Sequence, residues 1–457
     1  MTDQQIVPTA PAQGRRFRAY SAKHLDALTA RAGLDEAERL AVRAVATVLP
    51  FRTNDYVLES LIDWAAAPDD PIYRLVFPQS DMLSPADIGP IADMLAREAP
   101  SREVQAAAHA VRMRLNPHPA GQLALNIPAV HDEPVPGIQH KYPETVLIFP
   151  KQGQTCHAYC TYCFRWAQFV DEPDLKMATD DMIGVVSYLR AHPEVTSILI
   201  TGGDPMIMGS VVLRRYIEPL LNSGLDHIES IRIGTKSLAY WPQRFVTDPD
   251  ADDTLRLFEE VAATGRNLAV MAHFSHPREM EPALVGEAVS RIRSAGGVIR
   301  TQAPLIRTIN DEPGTWASMW RTQLRMGMVP YYMFVERDTG PQGYFAVPLA
   351  RAAEIYRDAY SSVSGLCRTV RGPSMSATPG KVCVDGVAEV AGEKVFVLRM
   401  IQARDPSLVG RPFFARYDPQ AVWLSDLQPA FASRFPFEAM PAEPPGLWAE
   451  DLLLAAD

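Results

Sequence analysis

Nowhere do about eighteen apolar residues run uninterrupted, the length a helix needs to cross a bilayer. The chain also lacks a Lys/Arg-rich run that would track a phosphate backbone: 44 Lys and Arg stand against 54 Asp and Glu, a formal net charge of -10. Membrane and nucleic acid are therefore not expected as partners. The opening stretch, MTDQQIVPTAPAQGRRFRAY, is polar and contains proline; it has no apolar core of the kind that marks a signal peptide, so the expected location is cytoplasmic. No internal repeat and no low-complexity tract is present. Cysteine is scarce, five residues in 457, and three of them fall in the eight positions of CHAYCTYC. An odd number with this clustering does not read as a disulfide framework in a reducing compartment. Metal binding or redox chemistry is the better reading.

Apolar residues make up 47% of the chain, enough to bury the core of one barrel with attachments or of two or three domains. From Ser21 to about Ala120, segments such as DEAERLAVRAVATVL repeat apolar residues at three- and four-residue spacing, which predicts helices. The Pro-rich passage NIPAVHDEPVPGIQHKYPE then ends that rhythm. Beyond it, six β-rich runs, TVLIFP, TSILIT, SIRIGT, NLAVMAHF, GVIRTQAPL and VPYYMFV, alternate with amphipathic helical stretches. Six βα repeats in a row predict an α/β fold with a parallel sheet, closed or partly closed as a barrel. The expected organisation is an N-terminal helical domain with a flexible start (1–130), a partial barrel (131–385), and a C-terminal extension (386–457) that begins with the hairpin GVAEVAGEKVFVLRM.

In such a fold chemistry belongs to the loops at the C-terminal ends of the strands. There the sequence places the cysteines after the first strand, Gly202-Gly203-Asp204 after the second, Gly234-Thr235-Lys236 after the third and His273-Phe274-Ser275-His276 after the fourth. Cys156, Cys160 and Cys163, spaced by three residues and then two, put three thiolates around one centre. Iron–sulfur clusters usually take four such ligands, so three leave one iron open, and an open iron can bind the amino and carboxylate groups of S-adenosylmethionine (SAM). A zinc site of these cysteines with His157 is the structural alternative, although zinc sites normally draw on two separated pairs.

The cysteine spacing resembles the radical SAM superfamily. In order and interval, EPVPGIQHKYPETVLIF, TGGDPMIM, RIGTKSLAYWPQR, HFSHPRE, QAPLIRTIND and VPYYMF, covering 134–384, resemble the signatures of the lysine 2,3-aminomutase family. The resemblance implies an incomplete (β/α)6 radical-SAM barrel, often in a homo-oligomer (dimer or tetramer). It implies a [4Fe-4S] cluster, SAM and pyridoxal 5'-phosphate (PLP), and an electron donor such as flavodoxin or ferredoxin. The activity it implies is that of an isomerase, which moves the amino group of an α-amino acid to the neighbouring carbon after a 5'-deoxyadenosyl radical has removed a hydrogen.

Carried over position by position, Lys381 in SATPGKVCV is where the family forms its Schiff base with PLP. A desolvated lysine is a suitable nucleophile for that task. Arg165 is where the family grips the substrate carboxylate, a task for a guanidinium fork. Gly202, Gly203 and Asp204 match the loop supporting SAM, His273 and Gln302 fall on positions lining the cofactors, and Lys141 stands where an arginine tends to meet the PLP phosphate.

The resemblance breaks at the two aspartates that hold the distant ammonium in lysine-specific members. One column reads Arg337, followed by Asp338; the other falls in Arg371-Gly372-Pro373-Ser374-Met375-Ser376, which has no acid. A buried ammonium without carboxylate partners costs several kcal/mol. Glutamate or another acidic or polar amino acid is therefore expected instead of free lysine, with Arg337, Asp338 and Arg371 as candidate contacts; an inward Asp338 would return a cationic substrate such as arginine. No cysteine follows Cys383 to build a C-terminal zinc site, so no zinc is expected. Two alternatives stay open: a radical SAM enzyme, with or without PLP, performing another rearrangement or an elimination on an amino acid or derivative, and a non-catalytic metal- or cluster-binding protein.

Overall fold

The computed structural model describes residues 16–130, 133–170 and 172–439. The expected flexible start (up to residue 15) and the end of the C-terminal extension (440–457) lie outside the described residues.

Five helices open the described chain: α1 (Leu25–Arg31), α2 (Glu36–Val48), α3 (Pro71–Val76), α4 (Pro85–Ala96) and α5 (Ser101–Arg114). Their starts follow from capping chemistry. The Glu38 N–H donates to Asp35 Oδ1 at 2.9 Å while Glu38 accepts from the Asp35 N–H at 2.7 Å, so two end groups of α2 satisfy each other. Asp70 takes the Tyr73 N–H at 2.8 Å and Ser84 the Asp87 N–H at 3.2 Å, each ahead of a proline in the first turn. The segment is not wholly helical: Ala19–Ser21 pairs antiparallel with Arg52–Asn54 in a short ribbon.

The main sheet has eleven strands in sequential order. They are β1 (Ile138–Tyr142), β2 (Thr145–Ile148), β3 (Ser197–Ile200), β4 (Ser230–Thr235), β5 (Asn267–His273), β6 (Val298–Leu305), β7 (Val329–Val335), β8 (Arg371–Ser376), β9 (Gly380–Val390), β10 (Glu393–Ala403) and β11 (Pro412–Arg416). Strands β2 to β8 run parallel, and β1 and β9 to β11 are antiparallel additions at the two ends. The crossovers carry α6 (Met182–Ala191), α7 (Ser210–Asn222), α8 (Ala251–Ala263), α9 (Ala283–Ser294), α10 (Pro313–Arg325) and α11 (Leu349–Ser361). Alternation along β4 shows the layering: Ile231, Ile233 and Thr235 are buried, while Ser230, Arg232 and Gly234 take the other face.

All six strands read from the sequence are present, forming the partial α/β barrel that the periodicity predicted. A seventh parallel strand, β8, was not expected. Its sequence RGPSMS hides it, because a Gly-Pro pair normally argues against a strand interior. Gly372 is required there: a Cβ on it would lie 2.3 Å from the Met333 carbonyl oxygen. The hairpin of β9 and β10 is as expected, though β9 begins earlier, at Gly380.

Strand pairing leaves the barrel open, and side chains bridge the gap. Lys141 donates to the Ala377 carbonyl, Gln402 Nε2 to Glu144 Oε1 at 2.9 Å, and Arg404 to the Leu125 carbonyl at 3.2 Å and Asn126 Oδ1 at 2.5 Å. One continuous apolar core joins the N-terminal helices to the barrel, and a second lies under β9 to β11. Among the described residues no helix is long and apolar enough to cross a membrane.

Candidate active site

The cysteine loop leaves β2 at the C-terminal mouth of the barrel and is held from outside by the N-terminal segment. The Tyr159 N–H donates to the Arg52 carbonyl at 2.8 Å and the Thr161 N–H to that of Leu75 at 2.9 Å. Buried Asn54 donates to the His157 carbonyl at 3.2 Å and the Tyr240 carbonyl at 3.0 Å. Cys156, Cys160 and Cys163 are free thiols, and all three line one cavity of about 320 Å³. Burial pushes the Cys163 thiol up to about 12, with the neighbouring Cys160 adding to it; burial also raises Cys156 and Cys160. Without a cation the loop holds thiols, and a bound metal would stabilise the thiolates.

Among the described residues, no three His, Cys, Asp or Glu side chains converge as ligands of a single ion would. Three free thiols lining one cavity suit a cluster, in which each iron takes its own thiolate. His157 does not complete a zinc set. It is buried outside the cavity lining, its Nδ1 meets Ser237 Oγ at 3.0 Å, and its ring stacks on Trp241.

The loop after β3 lies directly on the cysteine loop. A Cβ on Gly203 would sit 2.5 Å from the Thr155 backbone, so only glycine permits the approach, and the Asp204 N–H donates to the Thr155 carbonyl at 2.8 Å. Asp204, 2% exposed, accepts from Thr235 Oγ1 at 2.7 Å, the Lys236 N–H at 2.9 Å, the Met206 N–H at 2.9 Å and Ser237 Oγ at 3.1 Å. Burial raises its carboxyl, against the pull of those donors. Asp204 thus ties the second loop to the third. Gly202, Gly203 and Asp204 all line the cavity.

At the end of β5 and within β6, the Gln302 amide donates to His273 Nε2 at 2.6 Å, which leaves the ring proton on Nδ1. Burial first, then Lys236 and Arg165, bring His273 down to about 3, so it is neutral at ordinary pH. Lys236, read from the sequence only as part of the cluster after the third strand, also lines the cavity, pairs with buried Glu279 at 2.7 Å and lies over the Tyr240 ring.

Lys381 lies in β9 itself, paired with Ser376 on one side and Gln402 on the other, and not on a loop. Gly380 before it allows that packing, since a Cβ there would lie 2.4 Å from the Gln402 carbonyl oxygen. The Lys381 amine faces the cavity 4.3 Å above the Tyr332 ring. Burial, then the charges of Arg371, Arg232 and Arg337, bring it down to about 7. Lys141 lines the same cavity, and burial holds it well below the usual lysine range. The buried Nε of Arg232, in the wall near Lys381, has no hydrogen-bond partner. A buried amine of lowered basicity, with a second lysine in the same cavity, fits an aldehyde that carries a phosphate.

Two guanidinium groups share the Phe164 ring, Arg165 at 4.9 Å and Arg337 at 5.0 Å, and both line the cavity. Burial brings Arg165 down to about 10. Arg337 Nε lies 3.7 Å from Asp338 Oδ1, too far for a hydrogen bond. Asp338 is outside the cavity lining, where Asn116 Nδ2 donates to its carbonyl at 2.7 Å. Arg371 is also absent from that lining; it opens onto the other end of the barrel. Of the candidate cofactor and substrate residues, the structure therefore places in one cavity lining all except these two, and His157 also stays outside it. It adds Glu336, 3% exposed in the same wall, whose carboxyl burial raises well above its ordinary value. Glu336 and Arg232 were legible only as charged residues inside or beside apolar strands, a signal that does not say which way they face.

Comparison with known proteins gives no matching family model. The chain is 31% identical over 394 residues to an Aquifex aeolicus (strain VF5) protein named "Putative L-lysine 2,3-aminomutase", covering 86% of this chain and 91% of that one. To the L-lysine 2,3-aminomutase of Clostridium subterminale it is 27% identical over 237 residues, 52% of this chain and 53% of that relative, so there it spans about half the relative's length. A radical SAM methyltransferase structure from Sphaerobacter thermophilus aligns over 51% of this chain and 68% of its own, with 16% identity and a TM-score of 0.35, a likeness too slight to bear on fold or function.

Proposed function

Since the chain belongs to the lysine 2,3-aminomutase family of radical SAM enzymes, we propose that it moves the α-amino group of an acidic amino acid, glutamate in the first place, to the neighbouring carbon, with PLP held on Lys381. The carrying observation is the wall at Phe164: Arg165 and Arg337 line the cavity together, whereas Asp338 is not part of its lining. Two guanidinium forks suit two carboxylates, and a substrate ammonium placed beside them would meet repulsion.

When bound, the [4Fe-4S] cluster, SAM and PLP supply a hydrogen-abstracting radical and a ring that delocalises the unpaired electron. The rest falls to the chain. Cys156, Cys160 and Cys163 would hold the cluster, and the Gly202-Gly203-Asp204 loop would support SAM. Lys381 presents an amine of lowered basicity, Lys141 faces the phosphate, and His273 with Gln302 lines the cofactor region without adding charge. Arg165 takes the α-carboxylate and Arg337 the side-chain carboxylate, which fixes the reacting carbon in place. The same reading carries a reduced flavodoxin or ferredoxin as electron donor, a homo-oligomer and a cytoplasmic location.

Glu336 favours a second reading, in which a cationic side chain meets that carboxyl. It is the weaker one, because two guanidinium groups stand in the same wall.

The test is anaerobic reconstitution with iron, sulfide and PLP, borohydride reduction, and peptide mass spectrometry of the segment holding Lys381. Turnover of glutamate, aspartate, lysine and arginine with SAM and reductant follows. A phosphopyridoxyl group on Lys381 together with a β-amino acid from glutamate or aspartate is expected. Turnover of lysine or arginine alone would overturn the substrate assignment, and a cluster without the Lys381 adduct would overturn the PLP assignment.

A further inference from the structure

The opposite, N-terminal mouth of the barrel carries a second depression, of about 350 Å³. Ser197, Ser230, Asn267 and Arg371 are the first residues of β3, β4, β5 and β8, and they form its rim; Arg232 and Arg300 rise from the next turns of β4 and β6. In barrels of this kind that end normally serves stability and not chemistry. Here it gathers three guanidinium groups, none of which forms an ion pair with a carboxylate among the described residues, and the buried Nε of Arg232 has no hydrogen-bond partner.

Three like charges in one depression repel, so the arrangement costs the fold something that apolar residues would not. It is also preorganised. Arg371 lies 4.2 Å from the centre of the Tyr331 ring and 4.3 Å from that of Tyr332, and Arg300 lies 5.1 Å from that of Tyr331, contacts that restrict both side chains. The Ser230 hydroxyl donates to Ser197 Oγ at 2.8 Å, leaving the Ser197 hydroxyl proton free for another acceptor.

We propose that this mouth is a second anion site, taking inorganic phosphate or a small phosphate monoester from solvent through Arg232, Arg300 and Arg371. A tetrahedral dianion offers several oxygens to several forks at once, which a single carboxylate does not. Occupancy has a consequence at the catalytic end. Arg371 and Arg232 are the two leading charges that hold the Lys381 amine down, ahead of Arg337, with Glu144 opposing them, so a dianion between them raises the Lys381 pKa and lowers its neutral fraction. The site thereby links a phosphate outside the barrel to the reactivity of the lysine inside it.

The test is calorimetric titration of the full-length chain with inorganic phosphate at constant ionic strength, before and after PLP has been fixed on Lys381 by borohydride. Saturable binding of one phosphate is expected in both forms, weakened at least about tenfold by Arg300→Gln and less by Arg300→Lys. Thermal melts in chloride verify that both variants fold, and phosphate should raise the wild-type midpoint without raising that of Arg300→Gln. Absence of saturable binding, or equal binding by wild type and Arg300→Gln, overturns the proposal. Loss of phosphate binding after PLP fixation overturns it too, by assigning the three arginines to the cofactor's own phosphate. Because the titration is made on the chain without cofactors as well, failure of the PLP assignment leaves it readable.

Discussion

A lysine with a pKa of about 7 reacts differently from one at the surface. Below pH 7 the folded chain holds Lys381 as an ammonium, and the neutral fraction falls about tenfold per pH unit. The initial rate of PLP attachment to Lys381, followed by absorbance, should therefore climb up to about pH 7 and then level off. Attachment to an exposed lysine should keep rising toward its ordinary value near 10. A Lys381 profile still climbing between pH 8 and 10 would show that the amine is solvated. The cysteines make a second prediction at this scale. Replacing any one of Cys156, Cys160 and Cys163 by alanine removes a ligand that no neighbouring side chain can supply, so iron and sulfide content after reconstitution should drop to near background. His157→Ala, by contrast, should leave iron content largely intact, because that ring is committed to Ser237 and Trp241.

At the scale of elements, the chemistry depends on segments far from it in sequence. The N-terminal ribbon contributes Asn54, whose amide holds the His157 and Tyr240 carbonyls and whose Oδ1 accepts the Val57 N–H at 3.0 Å. Asn54→Ala leaves those groups buried and unpaired, and each such group costs about 1–3 kcal/mol. Urea unfolding should register that loss, and the reconstituted cluster should bleach faster in air than in the wild type. Asp204 plays the matching part between the loops after β3 and β4. Asp204→Asn turns one acceptor into a donor that faces other donors, and a loss of about 1–3 kcal/mol with weaker SAM binding is the expected result, read by denaturation and by equilibrium dialysis. Most of these elements were legible: six strands and their helices follow from the change between two-residue and helical periodicity. Strand β8 was not, since nothing local in RGPSMS favours extension, and it is a strand because β7 and β9 flank it.

For the whole molecule, the open barrel is decisive. Its two ends meet through Lys141 with Ala377, Glu144 with Gln402, and Arg404 with Leu125 and Asn126, and Lys381 stands beside that seam. Arg404→Ala removes bonds across the seam without touching the cavity lining, so hydrogen exchange should quicken in residues 120–126 and 377–381 while the cysteine loop stays protected. Uniform exchange across the barrel would show that the seam is not a separate cooperative unit.

The sequence by itself determined the alternation that makes an α/β barrel, the three-cysteine loop at a strand end, the family resemblance that the 31% identical relative bears out, and the loss of the two aspartates. Those are local or near-local facts, set by residue type and spacing. Which of two adjacent charged residues faces the cavity was decided only in three dimensions. Arg337 lines the cavity and Asp338 does not, because the chain leaves β7 with the Asp338 carbonyl held by Asn116 and the Arg337 guanidinium over Phe164, neither of them near in sequence. Arg371 moved likewise from the expected substrate site to the opposite mouth, because a residue at the first position of a parallel strand lies at the end away from the catalytic loops. Spacing tells which residues share a strand; only packing tells which end of the barrel, and which side of the wall, each one reaches.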